Sequence, residues 1–365
     1  MSSAQQAFFF GTGTSATSFG QPLGLSIIRV GLTDGNQDPG DCTSVSTSCA
    51  GVYVGDMQAA IANGARVFSS PWFHRQPTRP TAAQFARLLE GVAHFQAEAT
   101  GITLPGSRTS FKASRLKCRL PSRFKLSIQN EPDQCPSYDG ALWSAANIDT
   151  FIKSNLAPTF SSAGISTPIF EPEGGNYPST QSLGATCAGD SGCYSNVGGN
   201  QWHDYQASFS RFTVSPAPLP SGWTSGKKWW MTEVSCGVGY GASFCPGGFN
   251  TSMSNALNWA ALIDQRMQDG ANAWLFWQFV DYNGTASSQD DSLMANSAGG
   301  NIVPLRAFLL GQYSKLQMYL CRVTPSRIRC HRIALRHSSA APQFRRPLRI
   351  FRVRWCNRKS NRHPH

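Results

Sequence analysis

Two glutamates carry the clearest chemical signal in this chain. Glu131 closes the run Leu126-Ser127-Ile128-Gln129-Asn130-Glu131-Pro132. Glu233 closes Trp229-Trp230-Met231-Thr232-Glu233-Val234, 102 positions later. An apolar strand that presents a carboxylate at its C-terminal end is how a parallel α/β barrel assembles a reactive site. Two such carboxylates facing one cleft can break a glycosidic bond, one protonating the leaving oxygen while the other attacks the anomeric carbon. At a separation of about 5–5.5 Å the outcome is retention through a covalent intermediate. Glu131 is expected as the acid/base and Glu233 as the nucleophile. Asn130 stands where it can hydrogen-bond a sugar 2-hydroxyl, a contact that tightens in an oxocarbenium-like transition state. The bland reading, ordinary capping or surface acids, fits a lone Asn-Glu-Pro better than a pair of strand-terminal glutamates.

The elements that must position these groups alternate as strands and helices, the pattern of βα units. Strand signals cover 26–30, 66–72, the Glu131 run, 167–173, 201–205, the Glu233 run and 271–279. Helical periodicity covers 54–62, 82–99, 141–160, 253–268 and 304–316. Gly64, Gly164 and Gly270 serve as stops, and Asp139 as an N-cap. The expected fold class is α/β, a (β/α)8 TIM barrel in which the first strand is missing or incomplete. Seven strand signals leave one vacancy whose place is before residue 20. The run Ala7-Phe8-Phe9-Phe10-Gly11 is too short to fill it. A barrel lacking a strand exposes unpaired backbone along a seam. The expected organisation is a short N-terminal segment over 1–19, a barrel domain over 20–320 and a basic tail over 321–365.

Charge separates these parts. The formal charge of +12 suggests nucleic acid until its distribution is read. Residues 104–125 hold seven Lys/Arg and residues 321–365 hold thirteen, with no acid in either, which leaves 12 basic against 20 acidic residues elsewhere. The body is acidic. The insert 104–125 and the tail show no apolar period, and a basic arm for polyanions is the weaker reading of both. No specific nucleic-acid partner, no membrane and a monomeric state are expected; the partner is a polysaccharide. Cys42/Cys49, Cys187/Cys193 and Cys236/Cys245 read as disulfide-closed loops, while Cys135 has no obvious mate. No His/Cys spacing resembles a zinc site, so neither a metal nor a cofactor is expected. The loop cysteines and the sequons at Asn250 and Asn283 suggest secretion. The start Met1-Ser2-Ser3-Ala4-Gln5-Gln6 is no signal peptide, so a leader is expected upstream of it.

The catalytic text resembles glycoside hydrolase family 30. The matching residues are Leu23-Gly24-Leu25-Ser26-Ile27-Ile28-Arg29-Val30, Ser70-Pro71-Trp72, Ser127-Ile128-Gln129-Asn130-Glu131-Pro132-Asp133, Pro172-Glu173, Trp230-Met231-Thr232-Glu233-Val234 and Trp274-Leu275-Phe276-Trp277-Gln278. The resemblance spans about residues 20–103 and 126–318. It implies the same roles for Glu131 and Glu233, an Arg29 that supports the nucleophile, and a Trp277 that floors the adjoining subsite. It further implies that His203 or Tyr205 orients the nucleophile. Trp72 is either a sugar platform or a loop anchor. Glu173 is either a cleft residue or a buried salt-bridging acid, the second being favoured. Family members carry a side β-sandwich, expected here to be missing or incomplete because the Arg-rich tail follows Gln317. The implied activity is retaining hydrolysis of a cell-wall β-glycan, β-1,4-xylan foremost. β-1,6-Glucan, β-1,6-galactan and glucosylceramide remain alternatives, as does an inactive glycan-binding protein. The loop 280–303 contains Asp281, Asp290 and Asp291 but no Lys or Arg, so acidic substrate decorations should not be required.

Overall fold

A computed structural model describes residues 1–33, 48–72, 124–134, 140–163, 166–205, 209–210, 213–214, 216–220, 223, 226–236, 249–281, 291–297 and 300–321. The helix expected over 82–99, Cys42, Cys135, Cys245, Asp139, Gly164, the Asn283 sequon and the tail beyond Cys321 lie outside them.

Seven parallel strands form the central sheet. They are β1 (Ile27–Thr33), β2 (Arg66–Trp72), β3 (Phe124–Ser127), β4 (Ile169–Gly174), β5 (Val197–His203), β8 (Lys228–Glu233) and β9 (Ala273–Trp274), hydrogen-bonded in that order. Between β5 and β8 lies a short antiparallel ribbon of β6 (Phe209–Ser210) and β7 (Thr213–Val214). Strand β3 begins at Phe124, so the last two residues of the basic insert expected over 104–125 are sheet residues. The final strand pairs only over Ala273–Trp274 rather than over 271–279. Curling places large side chains inside the sheet. Phe68, Phe170 and Trp230 are buried there, with ring centroids 4.6–6.2 Å apart, and Ala273 and Leu275 complete the layer. Such a layer, contributed by several strands, makes the interior a core rather than a pore.

Among the described residues no strand joins the open edges of β1 and β9, and no β-sandwich forms. A cavity of about 750 Å³ lies along that seam, lined by residues 27–31 on one side and 273–280 on the other. The barrel is therefore a seven-stranded, unclosed version of the expected one. The run Ala7–Phe10 is not a strand remnant. It ends helix α1 (Ser3–Phe10), whose start is fixed by a reciprocal capping box between Ser2 and Gln5. Phe8, Phe9 and Phe10 are fully buried in the same cluster as Ile28 and Val30, so the end of α1 packs into the core beside β1.

The outer helices follow their chemistry. Helix α2 spans Ser48–Ala62. Helix α3 comprises Ala145–Phe151, a π-helical stretch Ile152–Leu156 and Ala157–Ala163; it begins four positions inside the expected start, with Ser144 as its N-cap. Helices α4 (Tyr177–Gly189) and α5 (Ser191–Tyr194) have no counterpart in the helical periodicity of the sequence. The Cys187–Cys193 disulfide, with Cα atoms 5.3 Å apart, ties these two helices together rather than closing a loop. Cys236 is also disulfide-bonded. Helix α6 (Met253–Gln268) matches its sequence pattern: Ser252 caps it, and Ala256, Trp259, Leu262 and Ile263 form its buried stripe. Gly270, at φ +105°, provides the left-handed turn that ends it. A small sheet of β10 (Val280–Asp281), β11 (Met294–Ser297) and β12 (Gly300–Ile302) precedes helix α7 (Leu305–Cys321). No helix among the described residues is long and apolar enough to cross a membrane.

Candidate active site

Strand order brings the C-terminal ends of β1, β2, β4, β5 and β8 into one mouth, and the two glutamates meet there. Glu233 is the last residue of β8, in register with His203 at the end of β5. Glu131 lies four residues beyond β3, but its segment stays between the neighbouring strands. Asn130 N–H donates to Pro71 O at 2.8 Å and Glu131 N–H to Glu173 O at 3.1 Å. Glu131 (φ +43°) and Glu173 (φ +63°) both occupy the left-handed region, which non-glycine residues rarely adopt. Each such residue costs on the order of 1–3 kcal/mol and persists only where its surroundings impose it. Here two of them are joined by a backbone hydrogen bond.

The side chains form one connected network. Arg29, buried on β1, donates through Nε to Glu173 Oε1 (3.0 Å), through Nη1 to Glu233 Oε2 (2.5 Å) and through Nη2 to Asn130 Oδ1 (2.6 Å). Tyr205 donates its hydroxyl to Glu233 Oε1 at 2.7 Å, so both oxygens of Glu233 have a donor. His203 Nδ1 contacts Glu131 Oε1 at 3.0 Å. Its Nε2 lies 3.5 Å from Glu173 Oε1 and 3.7 Å from Glu233 Oε2, ion-pair distances too long for good N–H···O bonds. Carboxylate oxygens of Glu131 and Glu233 and a ring nitrogen of His203 lie within 4.8 Å of one another.

Electrostatics divides this network into permanent charges. Burial alone would push Glu173 up, but Arg29 and His203 overcome it and hold its carboxyl down at about 2. Burial would push His203 down; Glu233, Glu131 and Glu173 together raise it to about 10. His203 is therefore an imidazolium at neutral pH, with both ring nitrogens protonated. Burial and the neighbouring Glu233 raise Tyr205 well above its ordinary value, keeping its hydroxyl a donor. Glu131, His203 and Glu233 have the spacing of a divalent-ion site. The donors do not suit one, because Glu233 is committed to Arg29 and Tyr205, and a protonated imidazole has no lone pair to offer.

The structure brings together the catalytic and substrate-binding candidates from the sequence. Glu131, Glu233, Asn130 and Arg29 are in direct contact through the network above. Whether His203 or Tyr205 meets Glu233, open on sequence grounds, resolves by geometry: Tyr205 takes Glu233 and His203 takes Glu131. Glu173 is fully buried and salt-bridged. Trp72 and Trp277 stack on each other with centroids 5.4 Å apart and planes 19° from parallel, and the Arg29 guanidinium lies 5.9 and 6.0 Å from their rings. Both are half-buried at the mouth, while Trp274 packs into the core. Two contributors were assigned no role from the sequence. Ser70 donates to Glu173 Oε2 at 2.6 Å. Asp204 accepts a bidentate pair from buried Arg266, at 2.6 and 3.0 Å, and so anchors the His203-Asp204-Tyr205 strand end from behind.

No family model matches the sequence, and no curated protein matches it. Solved structures do. A glycoside hydrolase family 30 subfamily 8 xylanase from Clostridium acetobutylicum superposes with a TM-score of 0.59 at 19% identity, covering 86% of this chain and 68% of its own. The chain has the fold of family 30 glycoside hydrolases. The catalytic domain of a family 30 xylanase from Talaromyces cellulolyticus gives 0.59 at 18% identity, covering 86% and 71%. An endo-β-1,6-glucanase gives 0.58 at 13% identity, covering 86% and 69%. This is the fold implied by the sequence resemblance, reached here by shape.

Proposed function

We propose that this chain is a retaining endo-β-glycanase acting on a cell-wall polysaccharide, β-1,4-xylan foremost. The observation that carries the reading is the carboxylate pair, with oxygens of Glu131 and Glu233 within 4.8 Å inside one mouth. That spacing belongs with the roughly 5–5.5 Å of retaining enzymes, because an inverting pair needs about 6.5–9.5 Å to admit a water. In the first step a Glu233 oxygen attacks the anomeric carbon while Glu131 gives its proton to the departing oxygen. In the second, Glu131 takes a proton from the water that cleaves the glycosyl ester. Arg29 and Tyr205 hold the Glu233 carboxylate on both oxygens. Asn130, its Oδ1 engaged by Arg29, turns its amide donor to the sugar 2-hydroxyl. Trp277, backed by Trp72, offers an apolar sugar-facing floor. The family 30 fold and the two xylanases among its neighbours support xylan; the β-1,6-glucanase neighbour supports β-1,6-glucan as the second choice. Secretion fits the Cys187–Cys193 disulfide. Decorations such as glucuronate should not be required.

The test is release of reducing ends from xylan, β-1,6-glucan, β-1,6-galactan and glucosylceramide by wild type, Glu131→Gln and Glu233→Gln. Wild type should cleave xylan best, and each variant should lose at least about 10³-fold, as when any member of a covalent catalytic unit is removed. Polysaccharide binding without cleavage by wild type would contradict the hydrolase reading and leave a glycan-binding protein. Cleavage only beside glucuronate substituents would overturn the expectation about decorations.

A further inference from the structure

We propose that Glu173 is a positioning residue of this centre: its buried carboxylate fixes Arg29 and His203 so that the arginine steadies Glu233 and the histidine steadies Glu131. The inference rests on the retaining reading above and adds a residue that reading does not use. Glu173 is fully buried, so it reaches no substrate. One oxygen, Oε1, lies 3.0 Å from Arg29 Nε and 3.5 Å from His203 Nε2, between two cations that would otherwise repel each other. The other, Oε2, accepts the Ser70 hydroxyl at 2.6 Å, which fixes the rotation of the carboxylate. The left-handed backbone at Glu173 and the bond from Glu131 N–H to its carbonyl then set where the acid/base begins.

The charges around His203 show what Glu173 supplies. Glu131 faces its Nδ1; Glu173 and Glu233 face its Nε2; Tyr205 stands with its ring 6.0 Å away, and Arg29 opposes it across the shared oxygen. Glu233 is also bound by Arg29 and Tyr205, and Glu131 exchanges its proton in every cycle. Glu173 is the carboxylate facing His203 with no task at the reacting bond. With Glu173 held at about 2 and His203 raised to about 10, their ion pair spans the whole range over which such an enzyme works.

Glu173→Gln preserves shape and removes only the charge. In the full chain, kcat on xylan should fall about 100-fold with KM changed less than about threefold, the signature of misplaced catalytic groups rather than lost binding. Glu173→Asp, which keeps the charge, should regain about tenfold of that loss, because the cations recover their counter-ion at an imperfect distance. The readout independent of turnover is the ¹⁵N titration of the His203 ring. Wild type should keep both ring protons to about pH 10. Glu173→Gln should lose one at least about one pH unit lower, an opposite charge within ~4–6 Å having been removed. Identical His203 titrations, or a Gln variant with wild-type kcat, would overturn the proposal. If the Gln variant does not fold, the wild-type titration decides: a midpoint near the ordinary ~6.5 contradicts it. Failure of wild type to cleave any β-glycan would sink the hydrolase reading alone, since the His203 titration still reports on Glu173.

Discussion

At the scale of single residues, each of the two carboxylates at the mouth is gripped by a partner that cannot easily change charge. Tyr205 is the most direct case, donating 2.7 Å to Glu233 Oε1. Tyr205→Phe removes a hydrogen bond to a charged group worth about 1.5–3 kcal/mol, so kcat/KM should fall roughly 10–100-fold. Wild-type kinetics in that variant would show that Glu233 is not held through this bond. A second residue makes a prediction about stability rather than rate. Glu171 is fully buried; burial pushes its carboxyl up to about 8 against the opposing pull of Asn200 and Lys227. Its Oε1 accepts from Asn200 Nδ2 at 2.7 Å, and Oε2 has no hydrogen-bond partner among the described residues. The unfolded chain ionises this acid near pH ~4.3. A folded value above the unfolded one means that wild type loses stability as pH rises from there through about 8. Glu171→Gln stays neutral, so its melting temperature should gain on wild type across that window and level off above it. A pH-independent difference would refute the assignment.

These residues were unequally legible in the sequence. Glu131 and Glu233 could be read because each closes an apolar run, and such ends map onto the mouth of a barrel; Arg29, inside β1, came only with the family resemblance. His203 and Tyr205 could be placed at the right strand end but not assigned partners, and the β5–β8 register shifts between Trp202 and His203, where no periodicity reports it. Ser70 meets Glu173 across 103 positions and Arg266 meets Asp204 across 62, contacts to which no periodicity corresponds.

At the scale of elements, the strand end carrying His203 and Tyr205 depends on a clamp behind it. Arg266 on α6 binds both oxygens of Asp204 and also Asp269, all three groups being buried or nearly so. Breaking a buried pair leaves an uncompensated charge, so Asp204→Ala should destabilise the fold by about 3–5 kcal/mol. Denaturant titration measures this, and a loss below about 1 kcal/mol would mean the arginine finds water or another acid. Element prediction succeeded where periodicity was strong, as in α6, whose stripe and caps are all present. It failed for α1 and α4. Helix α4 (Tyr177–Gly189) is rich in Ser, Thr and Gly, so its sequence resembles a loop. It is held by its Asn176 cap, by Pro178 in the first turn and by the disulfide to Cys193, features that a search for apolar spacing passes over. Helix α1 was hidden for the opposite reason. Three consecutive phenylalanines look like a strand core, yet the capping box at Ser2 and burial on several sides make them the last turn of α1.

At the scale of the molecule, the governing feature is the seam between β1 and β9. Amides facing it have no ladder partner among the described residues, and about 750 Å³ of cavity lies alongside. Local opening should begin there, because stability is lowest where backbone bonds and packing are fewest. Amide exchange should be faster in 27–31 and 273–280 than in β4 and β5, which are paired on both sides. Uniform protection across the sheet would show that the seam is closed in solution. The charged network at the mouth links β1, β2, β4, β5 and β8 across the barrel.

The central claim is that Glu233 attacks sugar carbon while Glu131 handles the leaving oxygen. An activated 2-deoxy-2-fluoro-xylobioside slows breakdown of the glycosyl ester formed by a retaining enzyme, so the intermediate can be trapped. Peptide mapping by mass spectrometry after inactivation should find one added glycosyl group, on Glu233. A label on any other residue, or cleavage with no covalent adduct and an inverted product, would contradict the account.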